Sequence, residues 1–358
     1  MLRATLVSQA DRTHSASALH GADIPARSGR LVTVIMTVKD DPEGCAETLD
    51  SLCGQTRPAD EIVVVDGGSG DHTLRVIREF ATRHGRVRLI EAPGVNIARG
   101  RNIATQMASG EIIACIDGGC RAEPDWLANL LKPFDESPQT EFVAGLYKIE
   151  PRSLLEEVVG LATMRGQLEP VDPDRFNPSG RSMAYTKALW RRARGWPEWV
   201  RFSEDTLFDH KLRRMNVCWR FAGDAVVHWR PRGSFRSIAR QFYHYGTGRG
   251  HTQIDAASFA YNLRNLALTV GVVAACFLST WALAVLLPMI GYFYVWTFHH
   301  KALRIARKTN RWTAYPLCLC VMWVVLISNV GGYLVGSWQR WRHQEQYCDR
   351  LDAYLATA

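Results

Sequence analysis

The sequence holds little of what marks a secreted, zinc-stapled or nucleic-acid-binding protein. Its nine cysteines form no CxxC pair and show no zinc-like spacing. That excludes a disulfide framework or a metal module built on them, and they read as reduced, buried thiols of a cytosol-facing chain. Residues 1–29 are rich in Ala, Ser, Arg and His and lack the apolar core of a secretory signal, so they read as a flexible leader. The net charge of +8 is not drawn into a basic stripe interleaved with aromatics, so nucleic acid is not expected as a partner. Much of the excess falls at Arg191, Arg192, Arg194, Arg230, Arg232, Arg236, Arg240 and Arg249, then across Lys301 to Arg311. Such clusters suit anionic phosphates and a membrane surface.

Charge itself is missing from two tracts. Residues 265–300 and 312–339 contain no Asp, Glu, Lys or Arg. A spanning helix needs roughly 20 apolar residues, and soluble domains seldom tolerate longer charge-free runs. One straight helix over the first tract would be roughly 54 Å long against a hydrocarbon core of about 30 Å. Two short spans fit better, with Pro288 and Gly291 able to kink the second. With one more span over the second tract, three are expected. The linker HHKALRIARKTNR carries basic residues and no acid, which places it in the cytoplasm and the tail outside. Alternatively the linker is an interfacial amphipathic helix, which frees the topology.

The rest of the chain alternates strand-like and helix-like patterns. LVTVIMTV, EIVVVD, VRLIEA and EIIACID read as buried strands, separated by helices over Pro42 to Gly54, from about Thr73 to Gly85, and from about Ile97 to Ala108. This rhythm predicts an α/β fold with a mostly parallel twisted sheet. Beyond it, FVAGLYKI and RSMAYT look like strands and LLEEVVGLATMRG like a helix. WRFAGDAVVHWRPR reads as a late strand pair, and SFRSIARQFYHYGTGRG as an amphipathic basic helix. Ligands of parallel sheets sit outside the carboxyl ends of the strands. Thr37 to Asp40, Asp66 to Ser69, the segment near Arg99 and Asp117 to Cys120 therefore converge on a candidate nucleotide site.

Within that site Asp66 is placed to accept hydrogen bonds from a base or ribose, and the Gly-Gly after it lets the backbone approach closely. Asp117 offers an oxygen ligand to a hard cation such as Mg²⁺ or Mn²⁺. Arg99 and Arg101 stand at a helix entry, as phosphate partners or as a solvated basic turn. Glu204 and Asp205 precede an apolar helix, where Ser203 and Asp205 are also plausible caps. His228 ends a strand beside Arg230 and Arg232, either as a structural histidine or as a ligand.

VTVIMTVKDDPEGCAETLDSLCGQTRPADEIVVVDGGSGDHT, ARGRNIATQMASGEIIACIDGGCRAEPDWL and SEDTLFDHKLRR, in this order, resemble the inverting family-two glycosyltransferases of the A-type fold. The resemblance covers roughly residues 31–250. It implies a nucleotide-sugar donor, inversion without a covalent intermediate and a divalent cation. It implies that Thr37 and Asp66 contact the nucleoside and that Asp117 opens the DxD motif. Asp205 becomes the general base of an ED motif with Glu204, and His228 a late metal ligand. Two departures stand out. Gly67 follows Asp66 where a second aspartate is usual, and Gly119 replaces the metal-binding aspartate. The ion is then held by Asp117, His228 and the diphosphate, or Arg side chains replace part of its charge. The Gln-x-x-Arg-Trp motif of processive members has only QFYHY, Gln241 to Tyr245, in its place, which argues for adding a single sugar to a lipid-linked or polysaccharide (glycan) acceptor.

The expected organisation is a leader over 1–29, a catalytic domain over 30–258 (a nucleotide-binding half, 30–131, and an acceptor half, 132–258), a membrane region over 259–340 with its basic loop at 299–312, and a tail over 341–358. The expected setting is a bacterial-type plasma membrane with the catalytic domain in the cytoplasm, serving cell-envelope or exopolysaccharide synthesis. A non-catalytic nucleotide- or glycan-binding membrane subunit is the alternative, with Gly119 as its support. A nucleotidyl-type transferase is a third reading, which leaves the ED helix unexplained.

Overall fold

The computed structural model describes residues 29–356, except 165, 174, 175, 278–283, 285, 286, 289, 290 and 293. The leader up to residue 28 and most of the expected second span lie outside the described residues. Four parallel strands open the domain: β1 (Val32–Val38), β2 (Glu61–Asp66), β3 (Val87–Glu91) and β4 (Ile112–Asp117), in the order β3-β2-β1-β4. Their near-continuous apolar sequence reflects burial on both faces by the crossover helices α1 (Pro42–Cys53), α2 (Thr73–Arg83) and α3 (Ile97–Met107). Asp41 caps α1 by accepting from the Gly44 N–H, and Asn96 caps α3 by accepting from the Arg99 N–H. The register sets Val38 beside Asp66 and Thr37 beside Asp117, so the strand-end residues share one edge of the sheet.

The second half completes a mixed eight-stranded sheet. It comprises β5 (Cys120–Ala122), α4 (Trp126–Glu136), β6 (Phe142–Ile149), α5 (Leu154–Thr163), β7 (Met183–Thr186), α6 (Lys187–Arg192), α7 (Glu204–Arg214) and β8 (Trp219–Trp229). β7 runs antiparallel between β4 and β6, β8 runs parallel to β6, and β5 closes the far edge antiparallel to β8. The late strand pair expected over 219–232 is one strand. Where β6 passes from Gly145 to Leu146, its partner jumps from Ala222 to Val226, so the Gly-Asp signal marks a bulge and not a turn.

In the C-terminal part the basic linker is helical and packs on the preceding domain. α8 (Phe235–Thr252) and α9 (Ala256–Cys276) lead, beyond the undescribed positions, to a basic helix, His300–Thr309. That helix buries Ala302, Ile305 and Ala306 against α5, and its Lys301 Nζ donates to the Ala162 carbonyl at 3.1 Å. Among the described residues one helix, Ala314–Arg342, is long and apolar enough to cross a membrane. After it, the tail turns back onto the catalytic domain. Leu351 and Tyr354 pack with Val200 and Leu207, and the Tyr354 hydroxyl donates to the Gly195 carbonyl at 2.9 Å. The tail thus packs against the segment that leads into α7.

Helix Ala314–Arg342 meets α8 backbone to backbone. A Cβ at Gly332 would collide with the Tyr243 carbonyl, one at Gly336 with that of Thr247, and one at Gly246 with that of Asn329. Small residues at four-residue spacing permit this closeness, as in apolar helix pairs generally. Gly332→Leu is therefore expected to destabilise the detergent-solubilised chain by about 1–3 kcal/mol. Gly331→Leu, one residue away with nothing near its Cβ position, should leave the thermal midpoint nearly unchanged. Equal midpoints for the two variants would refute the close-packed seam.

Candidate active site

The site is organised by a buried cation. Arg101 lies on the inner face of α3, one turn from both Ala98 and Ala104, and is 2% exposed. Its Nη2 donates to Asp117 Oδ1 at 2.7 Å, and its Nη1 to Glu204 Oε1 at 2.9 Å. The guanidinium rests 4.6 Å from the ring centroid of Trp196. The loop carrying Trp196 is pinned to α3: the Asn102 Oδ1 accepts from the Trp196 N–H at 2.8 Å, and Asn96 Nδ2 donates to the Glu198 carbonyl at 2.7 Å. The end of β4 and the start of α7 are thus clamped together.

Glu204 and Asp205 divide the two environments. Glu204 is 7% exposed, and burial pushes its carboxyl up to about 7 while Arg101 pulls the other way. Asp205 is half-buried and lines an open cavity of about 840 Å³ together with Asp117, Arg101 and Ser179. Its Oδ1 accepts from the Thr206 N–H at 2.8 Å, and its Oδ2 lies 3.4 Å from Ser179 Oγ. The capping alternative falls differently than expected: Ser203 stands at the cap in a left-handed conformation (φ 62°) and makes no side-chain cap bond. A non-glycine residue held there costs on the order of 1 kcal/mol, and it turns the chain into the Glu204–Asp205 pair.

Other expected site residues are engaged elsewhere. Asp66, 1% exposed, accepts from the Gly68 and Ser69 N–H groups and the Ser69 hydroxyl, so its carboxylate shapes the loop after β2 instead of facing the cavity. Thr37 sits at the end of β1 with its methyl against Gly100. Arg99 is exposed and pairs with Glu198 at 2.9 Å, so of the two arginines only Arg101 enters the site. The His228 Nε2 is 2.9 Å from Glu123 Oε1. The neighbouring Trp229 carries the ring over which Arg181 lies, since successive strand side chains alternate faces.

Among the described residues no three His, Cys, Asp or Glu side chains converge as a metal site. Asp117 is bonded to Arg101, His228 to Glu123, and Gly119 holds a φ of +83° that favours glycine over aspartate. Sequence reasoning missed the turn Ser179–Ser182, whose Ser179 and Arg181 border the cavity, and the Trp196–Glu198 loop. The placement of Arg101 was foreshadowed by its helical spacing from Ala98 and Ala104.

The sheet and the strand-end site define an A-type nucleotide-diphospho-sugar transferase fold. Residues 33–187 match the family model described as Glycosyl transferase family 2. The Glycosyltransferase AglE of Haloferax volcanii is 34% identical over 100 residues, covering 27% of this chain and 33% of that protein. The Uncharacterized glycosyltransferase EpsJ of Bacillus subtilis is 25% identical over 188 residues, covering 50% and 55%. The chain thus spans about a third to just over half of the length of these curated relatives. Among solved structures, GalNAc-T7 with UDP, GalNAc and Mn²⁺ aligns with a TM-score of 0.50 at 14% identity, over 66% of this chain and 50% of that one, and shares the fold. The family match and the relatives support a transferase.

Two outcomes follow from the clamp. Removing one partner of a buried ion pair strands the other, so Arg101→Met should destabilise the fold by about 3–5 kcal/mol in chemical unfolding. Arg101→Lys should recover little of this, because an ammonium cannot bridge two carboxylates in the same plane. Glu204 protonates as pH falls below about 7, taking one anion from Arg101. Any transfer activity should therefore decline through that range, and Glu204→Gln should flatten the decline.

Proposed function

We propose that the protein is a membrane-anchored glycosyltransferase that moves a sugar from a nucleotide-sugar donor to a lipid-linked or glycan acceptor with inversion. The observation that carries this reading is the position of Asp205. Its carboxylate borders a cavity that begins at Asp117 and reaches Phe242 of α8, Phe298, and Met322 and Val325 of the apolar helix. A polar floor under an apolar roof suits an acceptor whose hydroxyl must reach a base while its carrier stays in lipid. The outward residues Val270, Phe277, Ile327 and Trp338 supply the apolar surface for that anchoring.

In the proposed reaction Asp205 accepts the proton of the acceptor hydroxyl. The hydroxyl oxygen forms the new bond to the anomeric carbon as the nucleoside diphosphate departs with the bonding pair from the opposite face. One displacement inverts the centre. Glu204, tied to Arg101, fixes the first turn of α7 and with it the position of Asp205. Thr37 and the loop held by Asp66 border the nucleoside, as the family pattern implies. The alternative, a non-catalytic subunit of a polysaccharide assembly complex, draws only on Gly119.

A screen of nucleotide sugars on membranes containing the chain, with analysis of lipid-extractable product, tests the reading. Asp205→Asn should lower transfer by about 10²–10⁴-fold while nucleotide binding and the thermal midpoint stay near wild type. Full transfer by that variant would sink the base assignment. No product from any donor would favour the non-catalytic subunit.

A further inference from the structure

The turn Ser179–Ser182, closed by the Ser182 N–H donating to the Ser179 carbonyl at 3.0 Å, lies between two guanidinium groups. On one side a Cβ at Gly180 would run into Arg101 Nη2, so the residue must be glycine for the Arg101 clamp to form. On the other side Arg181 points into the cavity. Its guanidinium lies 4.6 Å from the Trp229 ring centroid and 5.4 Å from that of Tyr147. Nη1 donates to Ser179 Oγ at 2.9 Å, while Nε is buried with no hydrogen-bond partner among the described residues. No Asp or Glu of the described residues forms an ion pair with it, in contrast to Arg101, which has two.

A half-buried guanidinium that lies against two rings with its Nε unpartnered is favoured by an anion that joins it. Phosphate oxygens, like carboxylates, match its planar fork. The location sets which phosphate. Trp229 pairs across the β5–β8 ladder with Cys120, so the ring beneath Arg181 stands beside the turn from Asp117 to Gly119. In that turn Gly119 stands where the family pattern has a metal-binding aspartate, and Arg181 shares its cavity with Asp117 and Asp205.

We propose that Arg181, backed by Trp229 and Tyr147, is the fixed cation that holds the diphosphate oxygens of the donor beside Asp117. This rests on the donor reading given above, and it assigns to a side chain charge that family members take from a metal ion.

The test uses the full-length, detergent-solubilised chain with inorganic pyrophosphate and UDP or GDP as probes, in EDTA. Pyrophosphate should bind wild type without added metal, and Arg181→Gln should weaken binding by about tenfold or more, the loss of a charge-assisted hydrogen bond. Arg181→Lys should restore only part of it. In the unsubstituted chain, pyrophosphate should shield Arg181 from phenylglyoxal, a readout that stands even if the variants fail to fold. Abolition of binding by EDTA, together with wild-type affinity of Arg181→Gln in Mg²⁺, would overturn the proposal. So would unprotected modification of Arg181. Protection by vesicles carrying a polyprenyl phosphate, but not by pyrophosphate or UDP or GDP, would assign the site to the acceptor and overturn the donor assignment. Pyrophosphate binding at Arg181 without sugar transfer from any donor would instead count against the enzymatic reading and leave this site standing.

Discussion

Arg101 is the constraint on which the site depends. A guanidinium 2% exposed must have its charge answered inside the protein, and its two carboxylates come from segments far apart in the chain. Asp117 ends β4, and Glu204 begins α7. Neither can shift without stranding the other's partner. The consequences spread outward: Gly180 must lack a side chain, Trp196 must lie flat beneath the guanidinium, and the loop after it must be pinned to Asn96 and Asn102. Asp205 takes its position from this clamp because it is the residue after Glu204 on the same turn of α7.

A second constraint acts on the roof of the cavity. The glycine seam between α8 and Ala314–Arg342 replaces side-chain interdigitation with backbone contact, which fixes the two helices more closely than larger residues would permit. Polar bonds then lock one end of the seam, with His251 Nε2 2.7 Å from Gln339 Oε1 and the Tyr333 hydroxyl donating to Gln253 Oε1 at 2.9 Å. The basic helix before the apolar one and the tail after it both return to the catalytic domain. The apolar helix is thereby held as part of the cavity wall.

Much of this was legible in the sequence, and the limits have physical causes. The first four strands were readable because parallel strands buried on both faces are continuous apolar runs, and the crossover rule then brings Thr37, Asp66 and Asp117 to one edge. Arg99 and Arg101 could not be told apart by charge. Two residues apart on a helix they point nearly opposite ways, and only the spacing of Arg101 from Ala98 and Ala104 marked it as the inward one. His228 ends a strand among arginines, and its contact with Glu123 is a pairing across 105 residues that the local pattern does not encode, as is the contact of its neighbour Trp229 with Arg181. The bulge in β8, the return of the tail and the Arg101–Glu204 contact are long-range pairings, and no local pattern encodes them.

Gly119 has a different meaning in three dimensions than in the motif. Read along the chain, it is a missing carboxylate. In the fold its N–H donates to Thr48 Oγ1 at 3.0 Å, its φ is +83°, and a Cβ there would stand 3.0 Å from Asp41 Oδ2. The backbone of this turn has settled into a conformation that an aspartate would strain, and the neighbouring Gly118 is pressed close to the Thr37 carbonyl. The loss is therefore built into the loop and would not be reversed by restoring one side chain. Arg101 divides its one charge between Asp117 and Glu204, and Asp205 stands in the same cavity. The cavity beside this turn is lined by Asp117 and Asp205 as well as by Arg101 and Arg181, so a group that enters it meets charges of both signs.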